Sequence, residues 1–169
     1  KYRTQTEADE DFLRKLWKSI YIQTEWLVKH IETHLQGNHL LENGAALTFV
    51  GSCFIGSSAE KWYERGKEIL IKQIPEQILK DGMHFERSVM YHLRITYLLA
   101  AILNINRDDL SDLIKEPLKR MLIALQYLCH PDENIALLND SAFGIYNCPS
   151  QIIEYIGSLL GYETMTQIT

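Results

Sequence analysis

The hydrophobic positions of the chain recur at helical spacing over most of its length. Between Glu10 and His34, apolar residues follow one another at steps of mostly three, four or seven, which predicts one long helix with a buried stripe. The stripe comprises Phe12, Leu16, Ile20, Trp26, Leu27, Ile31 and Leu35. Gly37 then suits the end of this helix, and Asn38 suits the cap of a second one.

The remainder of the chain predicts five further helices joined by short turns. Their expected ranges are 39–55, 59–79, 86–103, 110–129 and 149–160, with an irregular connection at 135–145. Pro75 is expected to kink or shorten the helix that contains it. No segment alternates as a strand does, so the predicted class is all-α, a single helical domain over residues 1–169. Antiparallel helical hairpins fit either a bundle or solenoid, or part of an incomplete α/α toroid.

Composition and charge narrow the classes of partner. Hydrophobic residues make up 46% of the chain, enough for a sizeable core, and the formal net charge of −5 argues against a nucleic-acid partner. The apolar runs are too short to span a membrane. The chain has no signal peptide but opens at Lys1 rather than methionine, so its compartment stays open. Oligomeric state is not readable from the sequence.

Two short segments contain most of the candidate functional residues, and the first lies at the start of the second predicted helix. Asn38 there is either a plain helix cap or a group that places an amide, and nearby backbone N–H groups, at the positive end of a helix, where a carboxylate binds well. His39 and Glu42 are three positions apart and are expected to share one face. They are either a histidine–carboxylate pair that fixes a tautomer or ordinary helix-end polarity.

The second segment, residues 81–92, carries two histidines, an arginine and a tyrosine. Tyr91 and His92 follow Arg87 by four and five positions on one predicted helix. A tyrosine acting as a base needs positive charge or hydrogen-bond donors nearby, and Arg87 and a histidine from the first segment are the predicted sources. The alternative is a core tyrosine with a satisfied hydroxyl. His84 is a candidate substrate contact, with turn polarity as the alternative.

Other chemistries find little support. His30 and His34 have metal-ligand spacing on a helix, but the order is not HExxH and no third ligand is evident, so no metal site is predicted. Residues 51–56 lack the lysine and the preceding strand of a phosphate-binding loop. No cofactor is expected.

The two segments, Asn-His-Leu-Leu-Glu-Asn at 38–43 and Asp-Gly-Met-His-Phe-Glu-Arg-Ser-Val-Met-Tyr-His at 81–92, resemble the helical N-terminal domain of the heparinase II/III-like polysaccharide lyases. The stretch between them, with Trp62 and Gly66, is also similar to this family. So is the stretch from Pro131 through Asn139-Asp140-Ser141, although the family more often has glycine where Glu133 stands.

The resemblance implies an α/α toroid followed by a β-sandwich domain that this chain lacks. It also implies β-elimination: a base removes the C5 proton of a uronic acid and the C4–O4 bond breaks. By the same resemblance Asn38 and His39 fall at the positions that neutralise the substrate carboxylate, and Tyr91 at that of the catalytic base, acid or both. Glu42, Arg87, His92 and His84 would bind or support the substrate.

The resemblance implies an acidic polysaccharide or oligosaccharide as the partner and a periplasmic or secreted location. A further catalytic histidine in many members comes from the sandwich domain, so activity of this chain by itself is in doubt. Two alternatives stay open. One is a carbohydrate-binding or scaffold module without catalysis, with Trp26, Trp62 or surface tyrosines as stacking platforms. The other is a helical protein-interaction domain, in which Asn38 and Tyr91 would lie far apart.

Overall fold

The computed structural model describes residues 9–35, 37–105, 108–145 and 147–162. Within these ranges the chain forms six α-helices and no strand: α1 Glu10–Leu27, α2 Gly37–Cys53, α3 Ser57–Gln77, α4 Val89–Leu103, α5 Asp108–Tyr127 and α6 Pro149–Leu159. Two isolated antiparallel bridges, Ile78 with His84 and Cys129 with Ile135, close the loops after α3 and α5. The predicted all-α class is confirmed.

Helix α1 is shorter and more exposed than its hydrophobic pattern predicts. The Asp9 side chain accepts a hydrogen bond from the backbone N–H of Phe12 at 2.9 Å and caps the helix, which ends at Leu27 instead of continuing to His34. Asn43 of α2 exchanges two 3.0 Å hydrogen bonds with Glu32, one with its backbone and one with its side chain, which holds the chain after α1 in turns.

The stripe predicted to be buried on α1 is largely open to solvent. Phe12 is 50% exposed and Trp26 is 60% exposed, and Thr24 is the helix's one buried residue. The first helix contacts the rest of the fold in its middle, where Trp17 and Tyr21 meet the Phe54 ring, and at its C-terminal end. At that end and just after it, Leu27, Val28 and Ile31 pack against a small cluster of buried residues, Leu47, Trp62 and Ile69.

Helices α2 and α3 form a tightly packed antiparallel hairpin. A Cβ atom added at Gly66 would lie 2.5 Å from the carbonyl oxygen of Gly44 and 2.4 Å from Thr48 Oγ1, so only glycine permits this approach of the two backbones. Pro75 lies inside α3, which ends two residues later at Gln77. The close packing of α2 against α3 fixes where α2 begins, at the edge of the fold that carries residues 38–43.

The larger core lies between α3, α4, α5 and α6. Fully buried side chains include Leu70, Ile95, Leu99, Ile114, Leu118, Met121, Leu122, Leu125 and Ile156. Ser88 caps α4, because its side-chain oxygen accepts a hydrogen bond from the backbone N–H of Tyr91. Among the helices described, none is long and apolar enough to cross a membrane.

Candidate functional site

The first turn of α2, the loop before α4 and the connection after α5 enclose one surface cleft of about 510 Å³. Its lining residues are Leu35, Gly37, Asn38, His39, Phe85, Glu86, Ser88, Tyr91, Asn139 and Asp140. Asn38, His39 and Tyr91, the three residues predicted to be catalytic, are therefore brought together. The chain separation between Asn38 and Tyr91, 91 − 38 = 53 residues, is spanned by the α2–α3 hairpin and the loop that follows it.

Asn38 is the second residue of α2, not its cap as predicted, because the helix already begins at Gly37. Its backbone N–H donates to Glu86 Oε1 at 2.7 Å, so an acid from another loop satisfies the positive end of the helix. Its side-chain Nδ2 lies 3.5 Å from Glu42 Oε1, at the limit of a hydrogen bond. The amide is thus nine-tenths buried but only loosely held on its donor side.

Gly37 sets the direction of the chain as it enters α2. Its φ of +56° lies in the left-handed region, and its carbonyl oxygen accepts a 2.6 Å hydrogen bond from Gln77 Nε2 at the end of α3. A Cβ at this position would lie 2.6 Å from Glu86 Oε1. Glycine therefore allows Glu86 to reach the start of the helix.

His39 pairs with a different carboxylate from the one predicted. Its Nδ1 lies 3.7 Å from Glu32 Oε2, and its side chain is 55% exposed at the cleft. Glu42 instead forms a 2.6 Å ion pair with Arg94 Nη2 on α4. Burial raises the pKa of Glu42, and the charge and hydrogen bond of Arg94 oppose that shift.

Tyr91 is held by a carboxylate rather than by a cation. Its Oη donates a 2.9 Å hydrogen bond to Asp140 Oδ2. That bond raises the pKa of Tyr91, and burial and the negative charges of Asp140 and Glu86 act in the same direction, while Arg94 lowers it. The phenol therefore keeps its proton, which it shares in the hydrogen bond to Asp140.

The predicted role of Arg87 rested on its lying one helical turn before Tyr91, and this geometry is wrong. Helix α4 begins at Val89, so Arg87 lies in the preceding loop with a left-handed φ of +56°. Its side chain is exposed and does not line the cleft. The cation that acts on Tyr91 is Arg94, three residues further along the helix.

Direct substrate contacts of His84 and His92 do not fit this structure, because both side chains are fully buried, and a supporting role for them stays a prediction. The backbone N–H of His84 donates to His92 Nδ1 at 3.2 Å, so His92 Nε2 carries the proton and donates to the carbonyl oxygen of Met121 at 2.9 Å. His84 Nε2 bonds Gln77 Oε1 at 3.0 Å. Burial lowers the pKa of each histidine to about 4.

Asp140 and Arg94 are the residues that reasoning from sequence missed as partners of Tyr91. Asp140 stands 49 positions away on an irregular connection, and no spacing rule links such a loop to a helix. The Asn139-Asp140-Ser141 run was the available signal, since it falls in the stretch that resembles the lyase family. Arg94 lies on the same helix as Tyr91, but its direction depends on which face of α4 is buried.

The cleft offers an amide, an imidazole, a phenol and two carboxylates to a ligand. Asn38, His39 and Tyr91 supply hydrogen-bond donors, and Glu86 and Asp140 supply acceptors suited to hydroxyl groups. Within the part of the chain that the structure describes, no group of three or more histidine, cysteine or acidic residues is arranged to hold a metal ion.

Comparison with known proteins finds one family and several related enzymes. The family described as "Heparinase II/III N-terminus" matches residues 2–156. Heparin-sulfate lyase from Pedobacter heparinus is 28% identical over 137 residues, which cover 77% of this chain and 20% of that protein. Heparin-sulfate lyase from Bacteroides thetaiotaomicron is 30% identical over 118 residues, 62% of this chain and 17% of that protein.

A solved structure shares the fold. The crystal structure of heparinase III matches with a TM-score of 0.63 and 26% identity, covering 73% of this chain and 19% of that one. This likeness confirms the predicted class, antiparallel helical hairpins that form part of an incomplete α/α toroid. The chain spans about a fifth of the length of the curated relatives that it matches.

Proposed function

The chain belongs to the heparinase II/III N-terminal family, and from this premise we propose that it is the helical part of a polysaccharide lyase. The reaction is the β-elimination of a uronic-acid-containing polysaccharide. The observation that carries the proposal is the shared cleft of Asn38, His39 and Tyr91. Because the chain matches only about a fifth of each related enzyme, the activity is that of the natural protein that contains this chain.

Asn38 and His39 are the groups that would neutralise the substrate carboxylate. The C5 proton of a uronic acid is poorly acidic while the neighbouring carboxylate keeps its full charge. Hydrogen-bond donors aimed at that carboxylate stabilise the enolate-like charge that develops when the proton leaves. The loose 3.5 Å contact of Asn38 Nδ2 with Glu42 is readily exchanged for a stronger charge-assisted bond to such a ligand.

Tyr91 is the group that would exchange a proton with the sugar. Its phenol is partly exposed on the cleft, and its ring is held at the first turn of α4. Among the described residues that line the cleft there is no lysine or arginine, so the anionic substrate depends on Asn38, His39 and the nearby Arg94 for compensation of its charge. Glu42 would act through its ion pair with Arg94.

The decisive experiment measures unsaturated uronate, which absorbs in the ultraviolet, when the natural protein is mixed with heparan sulfate, alginate or a uronate-containing exopolysaccharide. Tyr91→Phe should lower the rate at least about 100-fold, since it removes the proton-transfer group. Tyr127→Phe, at a tyrosine that is 79% exposed and outside the cleft, should leave the rate unchanged. Absence of unsaturated product from every uronate polymer, or a fully active Tyr91→Phe protein, would refute the proposal.

A non-catalytic carbohydrate-binding module is the second candidate, and an exposed tryptophan favours it. Trp26 is 60% exposed and stacks on His30 with ring centroids 4.2 Å apart, whereas Trp62 is buried and is no platform for a sugar. This candidate predicts oligosaccharide binding that survives the Asn38→Ala, Tyr91→Phe double substitution but is lost in Trp26→Ala. The lyase predicts the reverse. A periplasmic or secreted location belongs to the same proposal as the lyase.

A further inference from the structure

The last residue of α3, Gln77, is fully buried and uses its whole side-chain amide in hydrogen bonds. Its Nε2 donates to the Gly37 carbonyl oxygen at 2.6 Å and to Gln73 Oε1 at 2.7 Å. Its Oε1 accepts a 3.0 Å hydrogen bond from His84 Nε2. The orientation of the amide is fixed, because a flipped amide would set an oxygen against the Gly37 carbonyl.

The backbone of Gln77 holds a second part of the fold. Its carbonyl oxygen accepts a 2.9 Å hydrogen bond from the backbone N–H of Phe85, and Ile78 pairs with His84 in the antiparallel bridge that closes this loop. Gln77 therefore fastens the start of α2 through its side chain and the loop before α4 through its main chain. Both of these segments carry residues that line the cleft.

The two fastened segments also bond to each other, so the hydrogen bonds form a closed ring. From Gln77 the ring passes to Gly37 and along the chain to the Asn38 N–H, which donates to Glu86 Oε1 at 2.7 Å. It returns through the Phe85 N–H to the Gln77 carbonyl. Any sliding of the two segments stretches at least one of these bonds, and hydrogen bonds weaken steeply as their geometry departs from the optimum.

We propose that Gln77 is a positioning residue of the cleft, which sets the places of Asn38 and Glu86 without touching the substrate. Gln77 is not among the residues that line the cleft, whereas the other four members of the ring are. The inference rests on the proposed lyase function and adds a residue to it. Under that function the Asn38 amide has to meet the substrate carboxylate, and a preorganised donor acts only while its geometry is held.

The first test follows the backbone N–H of Asn38 in this chain by NMR, as the rate at which it exchanges its proton with solvent. Gln77→Met keeps the length of the side chain but removes the donor to Gly37 and the acceptor for His84. The start of α2 is then free to move from Glu86, and the Asn38 N–H should exchange at least about tenfold faster.

Tyr63→Phe is the matched control. Tyr63 lies in the same helix, fourteen positions before Gln77 and outside the cleft, and its hydroxyl donates a 2.6 Å hydrogen bond to Asp109. The substitution removes a hydrogen bond that α3 makes to another helix but leaves the ring intact. The exchange of the Asn38 N–H should therefore stay as in the unchanged protein.

The second test measures the elimination in the natural protein. In Gln77→Met, kcat should fall by about 10- to 100-fold, since a displacement of about 1 Å at a reacting site can cost on the order of 100-fold. KM should change less than kcat, because the Asn38 donor strengthens mainly as charge develops in the transition state. Tyr63→Phe should keep the rate of the unchanged protein. Each protein is assayed where its circular dichroism shows it folded, so lost activity reflects geometry and not unfolding.

Unchanged exchange of the Asn38 N–H in Gln77→Met overturns the proposal, and so does equal acceleration in Tyr63→Phe, which would show a general loosening of α3. Faster exchange with an unchanged kcat also overturns it, because the position of Asn38 would then not limit the reaction. If the natural protein forms no unsaturated product, the proposed function fails, and the exchange rates still decide whether Gln77 holds Asn38.

Gln73→Met serves where Gln77→Met fails to fold. Gln73 is half-buried, and its Oε1 orients the Gln77 amide from one helical turn away, so this change is milder. It should accelerate the exchange of the Asn38 N–H in the same direction by a smaller factor. No acceleration in a folded Gln73→Met protein would contradict the role of Gln77.

Discussion

At the scale of single residues, the cleft depends on a neutral amide set among acids. Asn38 has Glu42 beside its side chain and Glu86 on its backbone nitrogen. An amide at this point can donate to a substrate carboxylate, whereas a carboxylate of the same shape would repel it. Under the proposed function, the identity of this one side-chain atom therefore decides whether the cleft accepts the substrate carboxylate.

Asn38→Asp tests this point with almost no change of volume. We expect kcat/KM for uronate elimination to fall at least about 100-fold, in line with the loss of one preorganised donor. The helix dipole favours an acid here, but a buried carboxylate beside Glu42 and Glu86 is repelled by them, so the free energy of unfolding should fall by about 1–3 kcal/mol. Denaturant unfolding and the elimination assay measure the two effects, and full activity of the Asn38→Asp protein would remove Asn38 from the mechanism.

The sequence could predict Asn38, His39 and Tyr91 as one group but not which of their neighbours face the same way. Successive helical residues point about 100° apart, so Tyr91 lies on the cleft while the adjacent His92 is fully buried. His84 enters the core because its loop closes onto α3 through Gln77. Direction and burial depend on tertiary packing, which motif spacing does not encode. The catalytic roles themselves stay predictions.

At the scale of elements, hydrogen bonds at the N-terminal end of α4 hold one wall of the cleft in place. Ser88 caps the helix and also holds residues 138–141 through the backbone of Asp140 and the side chain of Ser141. A cap of this kind contributes about 1 kcal/mol, and the hydroxyl of the buried Ser88 makes further hydrogen bonds to a connection that is itself exposed or half-buried.

Ser88→Ala should lower the free energy of unfolding by about 2 kcal/mol, the sum of a lost cap and one unsatisfied buried partner. Ser158→Ala, at an exposed position in α6, is the matched control and should cost less than about 0.5 kcal/mol. Urea unfolding followed by circular dichroism measures both. Equal losses of unfolding free energy in the two variants would show that the hydrogen bonds of Ser88 contribute nothing to stability.

Element boundaries show where the hydrophobic pattern is an incomplete guide. The ranges predicted for α2, α3, α5 and α6 agree with the structure to within two residues, and glycine or proline stands near the ends of α2, α3 and α6. The α1 pattern continues to Leu35, but the helix ends at Leu27, and two hydrogen bonds between Asn43 and Glu32 hold the following segment in turns. Glu133 has a φ of +66°, a left-handed conformation that glycine adopts without strain, in agreement with the glycine that the resemblance led us to expect there.

At the scale of the whole molecule, buried polar groups link the start of α2 to the middle of α5. Gly37 bonds to Gln77, Gln77 to His84, His84 to His92, and His92 to Met121. Each link joins a different part of the fold, so the cleft's floor and the core share one set of hydrogen bonds. The all-α class and the family were predicted from sequence and are confirmed, but this network runs between helices and has no local signature.

The network makes the stability of the chain depend on pH in a defined direction. His84 and His92 have pKa values lowered to about 4 by burial, against about 6.5 in the unfolded chain. The stabilisation that depends on neutral imidazoles is complete above pH 6.5 and is lost as the pH falls toward 4. In this range the two histidines bind protons in the unfolded chain but not in the folded chain. Each histidine contributes at most about 3 kcal/mol to the pH-dependent part of the free energy of unfolding. Because the two side chains interact, their joint contribution is less than twice that value.

We therefore expect the free energy of unfolding, measured in urea at pH 7.5 and pH 4.5, to fall steeply on acidification. His92→Gln should be less stable at pH 7.5 but should lose less on going to pH 4.5, since one of the two titrating groups is gone. His34→Gln, at an exposed histidine, should follow the unchanged protein at both pH values. If His92→Gln lost as much stability as the unchanged protein, acid sensitivity would have to arise outside the buried histidine pair.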